Sequence, residues 1–262
     1  YGAEAELAFT KRFGNVEINL GGNVTWSRST MTKDYDVNYP DGLAGFRKVR
    51  LNGDVLGYRV IGVFADQADI DASPVQPFEG KVYSGDLKYE DSNNDGYIDK
   101  ADRTVIANTT PSVQYGVNVS VRYKGLNLDV LGYGLAGFDT MLTNKYYQIY
   151  GSRKYSDVLN TGLPNGNAHP KIHADMSLNN FQDSDYWVVK GGFFKIRNVE
   201  LGYTLPIGLT SKVRINGVKI FVRCTNLFTV SRINDLDPEY IDGGVTNYPL
   251  MKAFTGGISF SF

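Results

Sequence analysis

Val113-Gln114-Tyr115-Gly116-Val117-Asn118-Val119-Ser120-Val121-Arg122-Tyr123 is followed by Lys124-Gly125 and then by Leu126-Asn127-Leu128-Asp129-Val130. Apolar residues recur at every second position, with Gln114, Asn118, Ser120 and Arg122 between them on the first arm and Asn127 and Asp129 on the second. Period-2 alternation is the mark of a strand with one apolar face and one wet face. The tight turn at Lys124-Gly125 makes the two arms a hairpin.

Working outward, the same period returns on both sides. Tyr1, Ala3, Ala5, Leu7 and Phe9 alternate with Glu4, Glu6 and Thr10. Val16, Ile18, Leu20, Val24 and Trp26 share one face of a second strand, opposite Glu17, Asn19, Asn23, Thr25 and Ser27. A fifth strand covers about 193–205, where the apolar phase switches from Phe194 and Ile196 to Val199, Leu201 and Tyr203. That slip near Arg197-Asn198 predicts a β-bulge. Val218, Ile220 and Val222 mark a sixth strand, and Phe254, Ile258, Phe260 and Phe262 a last one, making about seven. A strand already in register at residue 1 suggests a fragment or a processed piece of a longer chain.

Two architectures satisfy such strands. In a soluble sandwich the apolar faces meet; in a membrane barrel they face lipid while the polar faces line a lumen. Connection lengths favour the barrel. Short links at Phe13-Gly14-Asn15, Lys124-Gly125 and Pro206 to Asn216 alternate with long ones at 31–111, 138–190 and 229–251. Outer-membrane barrels have short periplasmic turns and long extracellular loops. The expected class is therefore all-β, a portion of an antiparallel transmembrane barrel. Composition agrees. The chain of 262 residues has formal net charge −1, which excludes a basic nucleic-acid surface. One cysteine, Cys224, excludes an internal disulfide. Mean hydropathy is −0.27, and no run of about 18 apolar residues offers a transmembrane helix.

The sharpest local motif is Asp91-Ser92-Asn93-Asn94-Asp95-Gly96-Tyr97-Ile98-Asp99-Lys100-Ala101-Asp102. It follows the D-x-[DN]-x-[DN]-G pattern of an EF-hand loop, whose alternate positions aim short oxygen side chains at a hard cation. The expected ligands of Ca²⁺, with Mg²⁺ as the alternative, are Asp91, Asn93, Asp95, the Tyr97 carbonyl, Asp99 and Asp102, in a metal-binding stretch 85–106. Position 12 is Asp102 rather than the usual glutamate, one methylene shorter. A solvated Asn/Asp/Gly turn is the competing reading. Gly132-Tyr133-Gly134-Leu135-Ala136-Gly137 spells G-x-G-x-x-G, but a dinucleotide site needs a βαβ unit. Here the glycines are expected to let a strand bend or approach another backbone. Tyr146, Tyr147, Tyr150 and Trp187 are candidate substrate contacts in an aromatic-rich loop. His169 and His173 are expected to be solvated or hydrogen-bonded, and Cys224 to be a small buried hydrophobe. No nucleophile–base pair stands in plausible context, so an enzyme is not expected.

At the end of the chain, Thr255, Gly257, Phe260 and Phe262 fit polar-x-Gly-x-x-aromatic-x-aromatic. This resembles the terminal signal by which the barrel assembly machinery recognises outer-membrane barrels.

Several further stretches belong with these motifs: Gly57-Tyr58-Arg59 to Gly62-Val63-Phe64, Gly85-Asp86-Leu87-Lys88-Tyr89-Glu90-Asp91, Phe194-Lys195-Ile196-Arg197-Asn198-Val199-Glu200-Leu201-Gly202-Tyr203, Asn226-Leu227-Phe228, Asp237-Pro238-Glu239 and Tyr248-Pro249. In this order they resemble the C-terminal part of a SusC/RagA-type TonB-dependent outer-membrane transporter of the Bacteroidetes. The resemblance implies a large barrel around an N-terminal plug that this sequence omits. It implies substrate entry under a SusD-like lipoprotein and TonB pulling on the plug. It also implies import of glycan oligosaccharides or peptides, with the metal loop outside the cell and the strands in outer-membrane lipid. The alternative from another class is a soluble calcium-stabilised β-sandwich, acting as an adhesin or carbohydrate-binding module.

Overall fold

The structure is a computed structural model that describes residues 1–32, 51–148, 162–172, 177–210, 215–241, 246 and 248–261. In chain order its elements are β1 (Gly2–Phe13), β2 (Val16–Ser27), β3 (Asp54–Gly57), β4 (Val60–Val63), α1 (Gln67–Asp71), β5 (Leu87–Tyr89), β6 (Thr104–Asn108), β7 (Val113–Tyr123), β8 (Leu126–Ala136) and β9 (Asp139–Met141). They continue with β10 (Val188–Lys190), β11 (Phe193–Thr204), α2 (Ile207–Thr210), β12 (Gly217–Ser231) and β13 (Ala253–Ser261).

The quoted hairpin sits in the middle of a seven-stranded antiparallel sheet of order β1-β2-β7-β8-β11-β12-β13. Its turn has φ of 44° at Lys124 and 89° at Gly125. Two successive positive φ values match the right-handed twist of paired strands, and the second falls on the residue that adopts it without strain.

Register turns alternation into two continuous surfaces. Pairing carries one transverse row through Phe9, Leu20, Val119, Val130, Val199, Cys224 and Phe254. One residue along, the opposite face carries Thr10, Asn19, Ser120, Asp129, Glu200, Arg223 and Thr255. A slip of one residue in any strand would exchange the faces. Much of the apolar face is uncovered: Leu7 is 80% exposed and Ile258 58%, while Cys224 is buried within the row. The inner faces of a sandwich would be buried, so the soluble sandwich does not describe this sheet.

The expected bulge is present. Ile196 pairs with Gly132 and Asn198 with Leu131, leaving Arg197 as the extra residue. The neighbouring pair shifts at the same level, from Ile196–Phe228 to Asn198–Thr225, with Asn226 at φ 54°. The glycine-rich stretch expected to permit bending runs inside β8. The Tyr115 ring lies where a Cβ on Gly134 would project, and its hydroxyl donates to the Phe193 carbonyl at 3.1 Å. The close approach explains Gly134, and antiparallel neighbours leave no βαβ unit for a dinucleotide.

The three long connections leave the sheet at one end, opposite the hairpin turns. They carry their own pairings, β3 with β6, β4 with β5 and β9 with β10. Most of the buried apolar residues lie there. One cluster joins Leu142, Tyr147, Leu163, Trp187, Val189, Ile233 and Ile241; another joins Tyr58, Leu87, Tyr89 and Ile98. Tyr186 packs against both.

Candidate functional site

The 91–102 loop is wired by its own backbone. Asp91 accepts from the N–H groups of Asn94 at 2.7 Å, Asp95 at 3.3 Å and Gly96 at 2.9 Å. Asn93 and Asp95 each accept from the N–H two residues on, at 3.0 and 2.9 Å. These Asx turns follow from short side chains at alternate positions. Asp102, only 1% exposed, accepts from Ser92 N–H and Asp99 N–H at 2.8 Å each, while Asp99 accepts from Ala101 N–H at 2.7 Å. Bonds of this kind, from backbone N–H to a carboxylate, are charge-assisted. The Asn93 amide also donates to Asp95 at 2.9 Å. Asp91 and Asp102 alike accept backbone N–H bonds at both carboxylate oxygens, and of the two Asp102 is the buried one. Among the described residues no three His, Cys, Asp or Glu side chains gather into a group that could hold a metal.

Side-chain amides dock this loop region onto its neighbours. The Gln76 amide donates to the Leu87 carbonyl at 3.0 Å and the Asn179 side chain at 2.6 Å, and accepts from Tyr89 N–H at 2.8 Å. Asn180 accepts from Leu87 N–H and donates to Asp86, both at 2.8 Å. All of these groups are buried, so every bond made avoids a desolvation cost of about 1–3 kcal/mol.

The candidate substrate aromatics stand elsewhere than expected. Trp187 and Tyr147 are each 0% exposed, so they form the apolar core instead of offering a ring to a solute. The Trp187 ring stacks on Phe181 at 6.2 Å, and its Nε1 donates to the Asn180 carbonyl at 2.9 Å. Tyr146 packs edge-on against Tyr147 and is partly buried. Tyr150 and His173 lie outside the described residues. His169 is hydrogen-bonded, each ring nitrogen 3.0 Å from a backbone carbonyl oxygen, Pro170 and Tyr147. Burial pushes the phenols of Tyr89 and Tyr147 well up, and that of Tyr186 up to about 12. All three therefore remain protonated at neutral pH.

On the polar face a recess of about 400 Å³ is lined by Asn118, Ser120, Asp129, Asn198, Glu200 and Arg223. Glu200 is clamped by Lys219 at 2.6 Å and Arg223 at 2.5 Å. Higher on the same face lies a cluster that sequence reasoning missed. Lys195 is 0% exposed, and its Nζ bonds both Asp237 oxygens at 2.9 Å and also Glu239. Its signal was a lysine in the polar phase of β11 with Asp237-Pro238-Glu239 downstream.

In β13, Gly257 faces Phe221, whose ring occupies the space a Cβ would need. Phe260 pairs with Val218 and is exposed; Phe262 lies outside the described residues.

No protein-family model matches the chain. The TonB-dependent receptor SusC of Bacteroides thetaiotaomicron is 25% identical over 258 residues, 93% of this chain and 24% of its own length. Two TonB-dependent receptors of Formosa agariphila are 25% and 24% identical, over 79% and 80% of this chain and 22% of their own lengths. The chain thus spans about a quarter of the length of the curated relatives it matches. Among solved structures, the RagAB peptide importer in its open-open state matches 100% of this chain and 28% of its own, with TM-score 0.70 and 18% identity. The closed-closed state gives TM-score 0.71 at 19% identity, covering 100% of this chain and 29% of its own. By sequence the chain is similar to SusC-type TonB-dependent receptors, and its fold is that of a part of the RagA-type transporter β-barrel.

Proposed function

We propose that the protein carrying this chain imports nutrients, oligosaccharides or peptides, across the bacterial outer membrane with energy delivered through TonB and a SusD-like lipoprotein as its outer partner. No covalent chemistry is part of this reading. One observation carries it: register aligns apolar side chains across all seven strands on one side of the sheet, from Phe9 to Phe254, and polar side chains on the other, from Thr10 to Thr255. Acyl chains solvate the first, water the second, and the long connections stand outside the cell. The test is uptake of labelled oligosaccharide and peptide pools by cells expressing the full-length protein. Uptake is expected to vanish with a protonophore or without TonB. Accumulation that ignores both would overturn the reading.

The 91–102 loop supplies the second part of the proposal. Asp91, Asn93, Asp95 and the Tyr97 carbonyl would hold Ca²⁺, with Asp99 and Asp102 bracing the loop from its far end. The bound ion would neutralise charge that backbone N–H groups offset only in part. Chelation of the full-length protein is expected to increase proteolysis within 85–106, with rescue by Ca²⁺, while Asp91→Asn abolishes the rescue. A loop whose cleavage is indifferent to chelator and to added Ca²⁺ would refute calcium binding.

A further inference from the structure

The Lys195 cluster has no role in the import reading so far, yet it is the most completely buried charge on the polar face. Register places Tyr133 opposite Lys195, on the same face as Asp129 and Glu200. Above them lies the segment between β12 and β13. Its Asp237 and Glu239 carboxylates both reach Lys195 Nζ, Arg197 stands 3.5 Å from Glu239, and the Tyr133 hydroxyl donates to Glu239. Two cations therefore meet two anions, and the cluster is neutral as a whole. Arg197 is the bulged residue of β11, so the irregularity in the strand gives the segment its second cation. Asp237 also accepts from Glu239 N–H at 3.0 Å, which fixes the turn around Pro238.

At its two ends the same segment is tied to the loop core. Ile233 and Ile241 are buried there, and the Asn144 amide donates to the Ile241 carbonyl at 2.6 Å. In between, Pro238, Glu239 and Ile241 form one side of a cavity of about 490 Å³. Leu135 and Phe193 of the wall and Phe138 of the β8–β9 link form other sides.

We infer that residues 232–241 are a strap across the loop end of the polar face, that Lys195 is its latch, and that release of the latch opens the cavity to the lumen. The gating role rests on the import reading; the latch itself does not. The geometry suits a two-position element. The strap is anchored by apolar residues at its ends and by ion pairs at its centre. Exchange of those ion pairs for water frees the centre without dissolving the ends.

The experiment uses the full-length protein with its lipoprotein partner. Lys195→Met keeps the length of the side chain and removes the charge. Amide exchange at Glu239 and Tyr240 should then accelerate roughly tenfold, with the Gly202–Phe221 region of the β11–β12 ladder unchanged. A cysteine at the cavity wall, Leu135→Cys, should react with an impermeant maleimide roughly tenfold faster when Lys195→Met is added. Glu239→Gln, which preserves shape and weakens the latch, should move both readouts the same way by less, and it decides the matter if Lys195→Met does not assemble. Unchanged exchange and labelling would overturn the latch. Acceleration throughout the ladder would also overturn it, because Lys195 would then support the sheet rather than the strap. Neither readout depends on transport, so loss of the import reading would leave the latch standing. Faster labelling with unaltered substrate uptake would overturn the gating role alone.

Discussion

Val119→Arg is expected to block assembly of the full-length barrel or to destabilise it by about 2–4 kcal/mol, the cost of a guanidinium at the bilayer midplane. Val119 is near the centre of β7 and pairs with Leu20 on one side and Val130 on the other. Its row has apolar side chains on all seven strands, so an arginine there finds no counter-charge within the sheet. Asn118→Arg, one residue away, faces the polar surface and is expected to change stability by only a few tenths of a kcal/mol, as surface substitutions do. Urea unfolding in lipid vesicles and heat-modifiable mobility on gels measure both variants. Equal effects at the two positions would mean that the apolar row does not meet lipid, and the assignment of the faces would be wrong.

Trp187→Ala should leave the barrel assembled and dissolve the packing of its loops. The ring is wholly buried, stacked on Phe181, edge-on to Tyr186 at 5.4 Å, and hydrogen-bonded to Asn180. Removing it leaves a cavity and an unpaired carbonyl, at a cost of about 3–5 kcal/mol. Because that core stands outside the seven-stranded sheet, the loss is local. Protease should cleave the connections around 139–148 and 177–190 rapidly while heat-modifiable mobility stays as in the parent. Trp187→Phe keeps most of the volume and should fall between the two. Wild-type protease resistance in Trp187→Ala would show that the connections are held by something other than this core.

The seven strands were legible because each displays period-2 alternation, and alternation survives translation into structure when one face must be apolar. Even the bulge at Arg197 showed as a phase slip, since an extra residue moves every later side chain to the other face. Strand lengths were less legible. β8 continues through Gly132 and Gly134, which carry no side chain to register in a pattern, and β12 runs to Ser231, past the irregularity at Asn226. The loop core was illegible for a different reason. Trp187, Tyr147 and Gln76 bury themselves against residues far away in the chain, and an aromatic that contacts a solute has the same local sequence as one that fills a core. The acidic loop was found by spacing alone. Spacing does not reveal that Asp102 is bound by backbone N–H groups at both oxygens.

The loop core draws Tyr58 and Ile98 from one connection, Tyr147 and Trp187 from a second, and Ile233 and Ile241 from a third. Such distant partners carry a high contact order, and closing them is slow until something else has shortened the intervening paths. The strands do that shortening, so the loop core is expected to form last. The near-ultraviolet dichroism of Trp187 is then the clock for the final stage of biogenesis.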